Sequence, residues 1–128
     1  MKYHINESER IISGVMDISR DELFFEGILT FEKYLKGAGL LDEKLWMRCV
    51  QRVIKSIIRE NHGKYQKVFF ARCHPCDQWD ENVGLDLIDE RAERYISRKI
   101  VQMRDMYQKE LEKRANMVAE LQVFAPFK

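Results

Sequence analysis

Apolar residues recur along most of this chain at helical spacing. Phe24, Ile28, Phe31 and Leu35 fall on one face of a helix predicted from Arg20 to Lys36. Gly37-Ala38-Gly39 stops it, because glycine takes the left-handed conformation that a helix C-terminus favours. Asp42 then caps a helix to about Asn61, striped by Trp46, Cys49, Val50, Val53, Ile54, Ile57 and Ile58 and ended by Gly63. Two capping-box patterns stand upstream, Asn6-x-x-Glu9 and Ser19-x-x-Glu22. The first predicts a short helix carrying Ile11, Ile12, Val15 and Met16, and the second opens the Arg20–Lys36 helix. A helical hairpin within a three-helix N-terminal part follows.

Alternation gives way to a continuous apolar run only at Val68-Phe69-Phe70-Ala71, which predicts a strand from Tyr65 to Cys73 covered on both faces. One strand cannot satisfy its own backbone. Its candidate partners are Tyr3-His4-Ile5, the segment from Gln122 to Phe127 (kept to an edge by Pro126), or the same strand of another subunit. The last third reads as one helix from Glu81 to Gln122. Its stripe is Leu85, Ile88, Ala92, Ile96, Ile100, Met103, Tyr107, Leu111, Ala115, Val118 and Leu121, a 3-4-4 pattern that favours a straight helix over a left-handed coiled coil. The pairs Glu90/Arg94, Asp105/Lys109 and Glu110/Arg114 place acid before base at i,i+4 on its outer face. At about 60 Å it outruns a 128-residue globule, so part of it is expected to meet a second subunit. The expected fold is a mostly α single domain over residues 1–128. It comprises a helical part (1–62), a strand and turn (63–80), a long helix (81–122) and a tail (123–128).

Composition and charge narrow the function. The chain is 34% charged with a net charge of +1, which argues against a disordered tail or a wholesale polybasic nucleic-acid binder. No apolar run approaches the roughly 20 residues of a membrane span, and Met1-Lys2-Tyr3-His4 does not open a signal peptide. Three cysteines suit a reducing cytoplasm. The sum conceals a strong asymmetry: residues 1–43 carry −4, 44–72 carry +7, 73–93 carry −6 and 94–128 carry +4. Lys44, Arg48, Arg52, Lys55 and Arg59 form one stripe opposite the apolar face of their helix, and Lys64, Lys67 and Arg72 extend the block into the strand. That stripe reads either as an anion-binding face or as a solvated face balanced by the acidic segment Asp77–Glu93 folded beside it. Its anionic partner would be nucleic acid, nucleotide phosphate or an acidic protein. A DNA-reading helix-turn-helix would offer only Gln51 as a base-edge reader.

Arg72-Cys73-His74-Pro75-Cys76-Asp77 is the most distinctive stretch. Cys73 and Cys76 have zinc-ligand spacing, with His74, His62, His4 or Cys49 to complete a site, but a single CxxC is a weak signal and no cofactor is expected. A redox pair lacks its usual βαβ surroundings. The remaining reading is a structural turn in which Pro75 ends the strand and Asp77 or Asp80 caps the long helix, while Gly84 admits a neighbouring backbone or Trp46 closely. No phosphate loop, dinucleotide fingerprint or HExxH occurs, and neighbouring Cys73 and His74 point to opposite faces of a strand, so no enzyme is expected.

The run Ala71-Arg72-Cys73-His74-Pro75-Cys76-Asp77-Gln78-Trp79-Asp80-Glu81-Asn82-Val83-Gly84, with Arg91 beyond it, resembles a strand-to-helix motif of small phage and prophage proteins. That motif is Ala, basic, Cys, any, Pro, any, Asp, any, aromatic, Asp, any three, Gly, then a later Arg. It covers about 20 of the 128 residues and has no fixed cysteine at the position of Cys76. The helical beginning expected here also departs from the strand-rich beginnings of such proteins. The resemblance implies a cytoplasmic, non-enzymatic antagonist of a bacterial host's defences. It would act by binding a host defence protein or, as an oligomeric sponge, a cyclic nucleotide signal. It would place Arg72, Asp77, Trp79, Asp80 and Arg91 at a pocket near a subunit interface.

Overall fold

In the computed structural model, which describes residues 1–124 and their side chains through residue 119, the chain begins with a β-hairpin. Strands β1 (Lys2–Asn6) and β2 (Ile11–Asp17) pair antiparallel around a four-residue loop. The short helix expected over Ile11–Met16 is therefore absent. Asn6 does accept the backbone N–H of Glu9 at 3.2 Å, as an N-cap would. The same local motif also opens turns, and here Arg10 donates to the Glu7 carbonyl at 3.0 Å and turns back with φ 58°. Ile12, Gly14 and Met16 then alternate inward along β2.

Helix α1 (Glu22–Gly37) is capped by Asp21, whose carboxylate accepts from the Phe24 N–H at 2.9 Å. Ser19 instead hydrogen-bonds Asp17 in the 3₁₀ turn before it, so the true N-cap lies two residues beyond the expected one. At its end the Leu40 N–H reaches back to the Leu35 carbonyl at 2.9 Å while Gly39 takes φ 71°, the left-handed exit expected of that glycine. Helix α2 (Glu43–Glu60) has Asp42 as N-cap, as expected. Strand β3 (Gln66–Arg72) follows, then α3 (Glu81–Phe124). Three helices and a three-stranded antiparallel sheet of order β1-β2-β3 make a mixed α and β architecture rather than a mostly α one.

The sheet corrects the expected strand pairing. β3 pairs with β2, in register Ile12↔Ala71 and Gly14↔Phe69, and not with the residues of β1. Residues 122–124 continue α3 instead of forming a strand, and residues 125–128 lie outside the described residues. β3 is an edge strand with one covered face. Phe69 and Ala71 point inward, whereas Phe70 on the outer face is 61% exposed. The hydrogen bonds Ile18 N–H to Tyr65 carbonyl (2.8 Å) and Cys73 N–H to Arg10 carbonyl (2.9 Å) bracket the ladder. The odd-numbered residues therefore bond to β2, and the backbone groups of the even-numbered ones face outward.

α3 is the spine. Its first half lies under the sheet, with Tyr95 edge-on to Phe69 at 5.8 Å. Its middle carries the α1–α2 hairpin: Tyr107 meets Trp46 edge-on at 5.7 Å, donates to the Leu40 carbonyl and accepts the Asp42 N–H at 2.8 Å. Ile88, Ala92, Ile96, Met103 and Tyr107 are buried as expected, and Leu85, Ile100 and Leu111 pack against the same core. The stripe then runs out: residues 112–119, including Ala115 and Val118, are exposed, and the side chain of Leu121 lies outside the described ones. Of the three surface pairs, Glu90–Arg94 forms at 2.7 Å. Arg114 turns to Asp42 (2.5 Å) and Asp105 to Arg104 (3.4 Å), because the cap of α2 offers Arg114 a fixed carboxylate.

Candidate functional site

The turn between β3 and α3 is built by its own backbone and one distant arginine. Asp77 donates its N–H to the His74 carbonyl at 3.0 Å, and the Cys76 N–H donates to His74 Nδ1 at 3.1 Å. Asp80, of the two aspartates considered, caps α3, accepting from Asn82 (3.1 Å) and Val83 (3.3 Å). Arg10 reaches across from the β1–β2 loop. Its guanidinium lies 3.1 Å from Cys73 Sγ and 3.3 Å from the His74 carbonyl, and also donates to the Asp77 carbonyl. Its Nε is buried without a partner among the described residues. The sequence reading missed Arg10, and the only local hint, an arginine closing a loop, does not say where the side chain goes.

This clamped turn walls a cavity of about 570 Å³ between the sheet and the start of α3. Ile12 and Ala71 contribute from the sheet, Val83 and Leu87 from the helix. Arg72, Cys73, His74, Asp77, Gln78 and Asp80 supply polar groups, and Trp79 an aromatic wall. Gly84 lines it too: a Cβ there would stand 2.5 Å from Ile12 Cδ1, so the close approach expected of this glycine occurs, with a β2 side chain rather than with Trp46. Four of the five motif residues, Arg72, Asp77, Trp79 and Asp80, thus meet at one cavity. Arg91 does not line it. It reaches the outward-facing Phe70 carbonyl and occupies an acceptor on the free edge of β3.

Cys73 is half-buried under Arg10, Cys76 is exposed, and Cys49 is buried in α2, where desolvation pushes its thiol pKa up. Among the described residues no three His, Cys, Asp or Glu side chains gather closely enough to hold a metal ion.

The basic stripe is exposed along α2 at Lys44, Arg48, Arg52, Lys55 and Arg59, with Lys64 beyond it. Lys67 departs from it. It sits on the inner face of β3 opposite Met16, with Nζ 5.3 Å from the Tyr95 ring centre. Among the described residues none of these seven cations lies within 4 Å of a carboxylate. The expected counter-charge is elsewhere. α2 runs antiparallel to α3 along residues 95–114, as Glu60 with Tyr95 and Lys99, and Asp42 with Arg114, show. The acidic segment lies at the sheet end, where Asp89 accepts from the Tyr3 hydroxyl and holds that phenol's pKa up at about 12.

A third cluster escaped the sequence reading. Lys99 is 6% exposed, 2.7 Å from Glu60 and 5.2 Å from the Tyr95 ring centre. Its ammonium holds the Glu60 carboxyl below the usual range, and burial raises the Tyr95 phenol to about 12. These groups pin the end of α2 to α3.

Comparison with family models, curated proteins and solved structures finds no match to this chain. Among the described residues no helix is long and apolar enough to cross a membrane.

Proposed function

We propose that this chain is a non-enzymatic phage or prophage protein that antagonises a bacterial defence system in the host cytoplasm by sequestering a nucleotide signal. The observation that carries the reading is the convergence of Arg72, Asp77, Trp79 and Asp80 on one cavity. At about 570 Å³ it falls within the range of small-molecule sites. Its groups suit a nucleotide. Trp79 offers a face for base stacking, Asp77 and Gln78 hydrogen-bond a base edge, and Arg72, exposed at the rim where β3 ends, attracts a phosphate.

Calorimetric titration with a panel of cyclic di- and trinucleotides tests the proposal. Stoichiometric binding by one member is expected, with a melting temperature that climbs with its concentration. Trp79→Ala should weaken that binding by about 5- to 150-fold, since stacking on an aromatic ring is worth about 1–3 kcal/mol. A panel that gives no heat and no thermal shift sinks the sponge.

A second reading rests on the unpaired cations of α2: the protein blocks an acidic surface of a host defence protein, or binds DNA as a small regulator. DNA binding would weaken by about three decades or more between 50 and 200 mM salt for six or more phosphate contacts, whereas a protein blocker requires its target.

A further inference from the structure

The outer surface of the α1–α2 pair has an order that neither helix shows alone. Gly27 on α1 faces α3, since a Cβ there would overlap Ile100. Phe24 and Phe25 line a small hollow with Ile54 and Ile57 of α2, which places this end of α1 level with the last turns of α2. Turning outward from that contact, α1 presents Phe25 and then Leu29, 45% and 53% exposed, and beyond them Glu22 and Glu26. α2 presents half-buried Ile54 and Ile58 with Met47, 45% exposed, and beyond them Lys55 and Arg59. The surface is therefore an apolar seam between two helices, with an acidic flank beside the start of α1, where Glu22 and Glu26 precede the exposed Lys33 and Lys36, and a basic flank along α2.

We propose that a second copy of this chain docks here, across a twofold axis running along the seam. Such an axis lays α1 of each protomer over α2 of the other while keeping their levels. Seam then meets seam, and the Glu22–Glu26 flank of each protomer meets the Lys55–Arg59 flank of its partner. An isologous contact requires self-complementarity of this kind. It supplies Lys55 and Arg59, from a second copy, with carboxylates that neither has within 4 Å among the described residues of its own chain. The face measures about 27 Å along α2 and about 20 Å across both helices, room for a modest interface whose strength depends on charge. The inference is independent of the cavity between β3 and α3, which opens at the other end of α3.

Light scattering and sedimentation on the full chain test it. At 50 mM salt and 100 µM protein the mass should be that of a dimer, moving toward the monomer at 1 M salt. The pair Lys55→Glu/Arg59→Glu should be monomeric, its two flanks now both acidic. The pair Glu22→Lys/Glu26→Lys should also be monomeric, with both flanks basic. Mixed in equal amounts, the two variants should form a one-to-one heterodimer, which only folded chains with matched flanks can do. A monomeric native chain at low salt overturns the proposal and leaves the basic flank to a foreign acidic partner or nucleic acid. A dimer that survives both reversals, or variants that stay apart on mixing, overturns it equally.

Discussion

Gly84 shows how one missing side chain shapes the cavity. It lies in the first turn of α3, where alanine would ordinarily favour the helix by about 1 kcal/mol. Here the added methyl would overlap Ile12 Cδ1, and Ile12 is buried and held in the sheet. Overpacking of that kind costs about 1–3 kcal/mol, so Gly84→Ala should lower stability by up to about 2 kcal/mol in urea unfolding. Ile12→Val removes the atom that is overlapped. The double variant should therefore be more stable than the sum of the single effects by about 1 kcal/mol, and strictly additive values would show that the contact is not tight. Sequence allows a close approach at this glycine but does not name its partner, because the Asn6-x-x-Glu9 pattern before Ile12 reads as a helix start. Arg10 was illegible for a related reason. Its role exists only once the hairpin brings its loop beside the turn between β3 and α3, 63 positions further along the chain at Cys73.

At the scale of elements, helices whose stripes and caps agree were readable. The bounds of α2 follow from Asp42, seven apolar positions and the glycine beyond, all of which specify the same element. The hairpin was not readable, because Asn6 supplies a cap-like hydrogen bond in either fold and a five-residue strand has too few positions to fix a period. Junctions between elements were invisible too, and the Glu60–Lys99–Tyr95 cluster is one whose groups have shifted pKa values. With its pKa lowered by Lys99, the Glu60 carboxylate contributes stability that is fully present above the ordinary carboxylate range near 4.5 and is lost as pH falls through its folded value. Glu60→Gln also leaves the Lys99 ammonium buried without its counter-charge. It should cost about 1–2 kcal/mol at pH 7, a range set low because the Glu60 side chain is 43% exposed. The gap between variant and native chain should narrow as pH falls below 4.5 and the native carboxylate takes up its proton. Urea midpoints taken between pH 7 and 3 check this, and a gap independent of pH would remove the carboxylate from the account.

Across the whole molecule, α3 joins two ends that share few other contacts. The sheet, the clamped turn and the cavity gather on its first half, and the α1–α2 hairpin on its middle. Its 3.6-residue stripe was legible in sequence because a helix of this length repeats its signal many times, and buried residues at both ends belong to one continuous core. A spine of this kind makes the ends unfold together, since melting either one strips cover from the same helix. The chain's two tryptophans test this, one at each end: Trp79 walls the cavity and Trp46 is fully buried between Phe31 and Tyr107. Trp46→Phe leaves a reporter on the sheet end only, and Trp79→Phe one on the hairpin end only. Trp46→Phe should be the less stable variant, having lost packing at the centre of the core. Within each variant, however, tryptophan fluorescence and far-ultraviolet dichroism should share a single urea midpoint. If the fluorescence of Trp79 changes well before the helical signal falls, the sheet end melts alone. The cavity would then open without unfolding the rest of the chain.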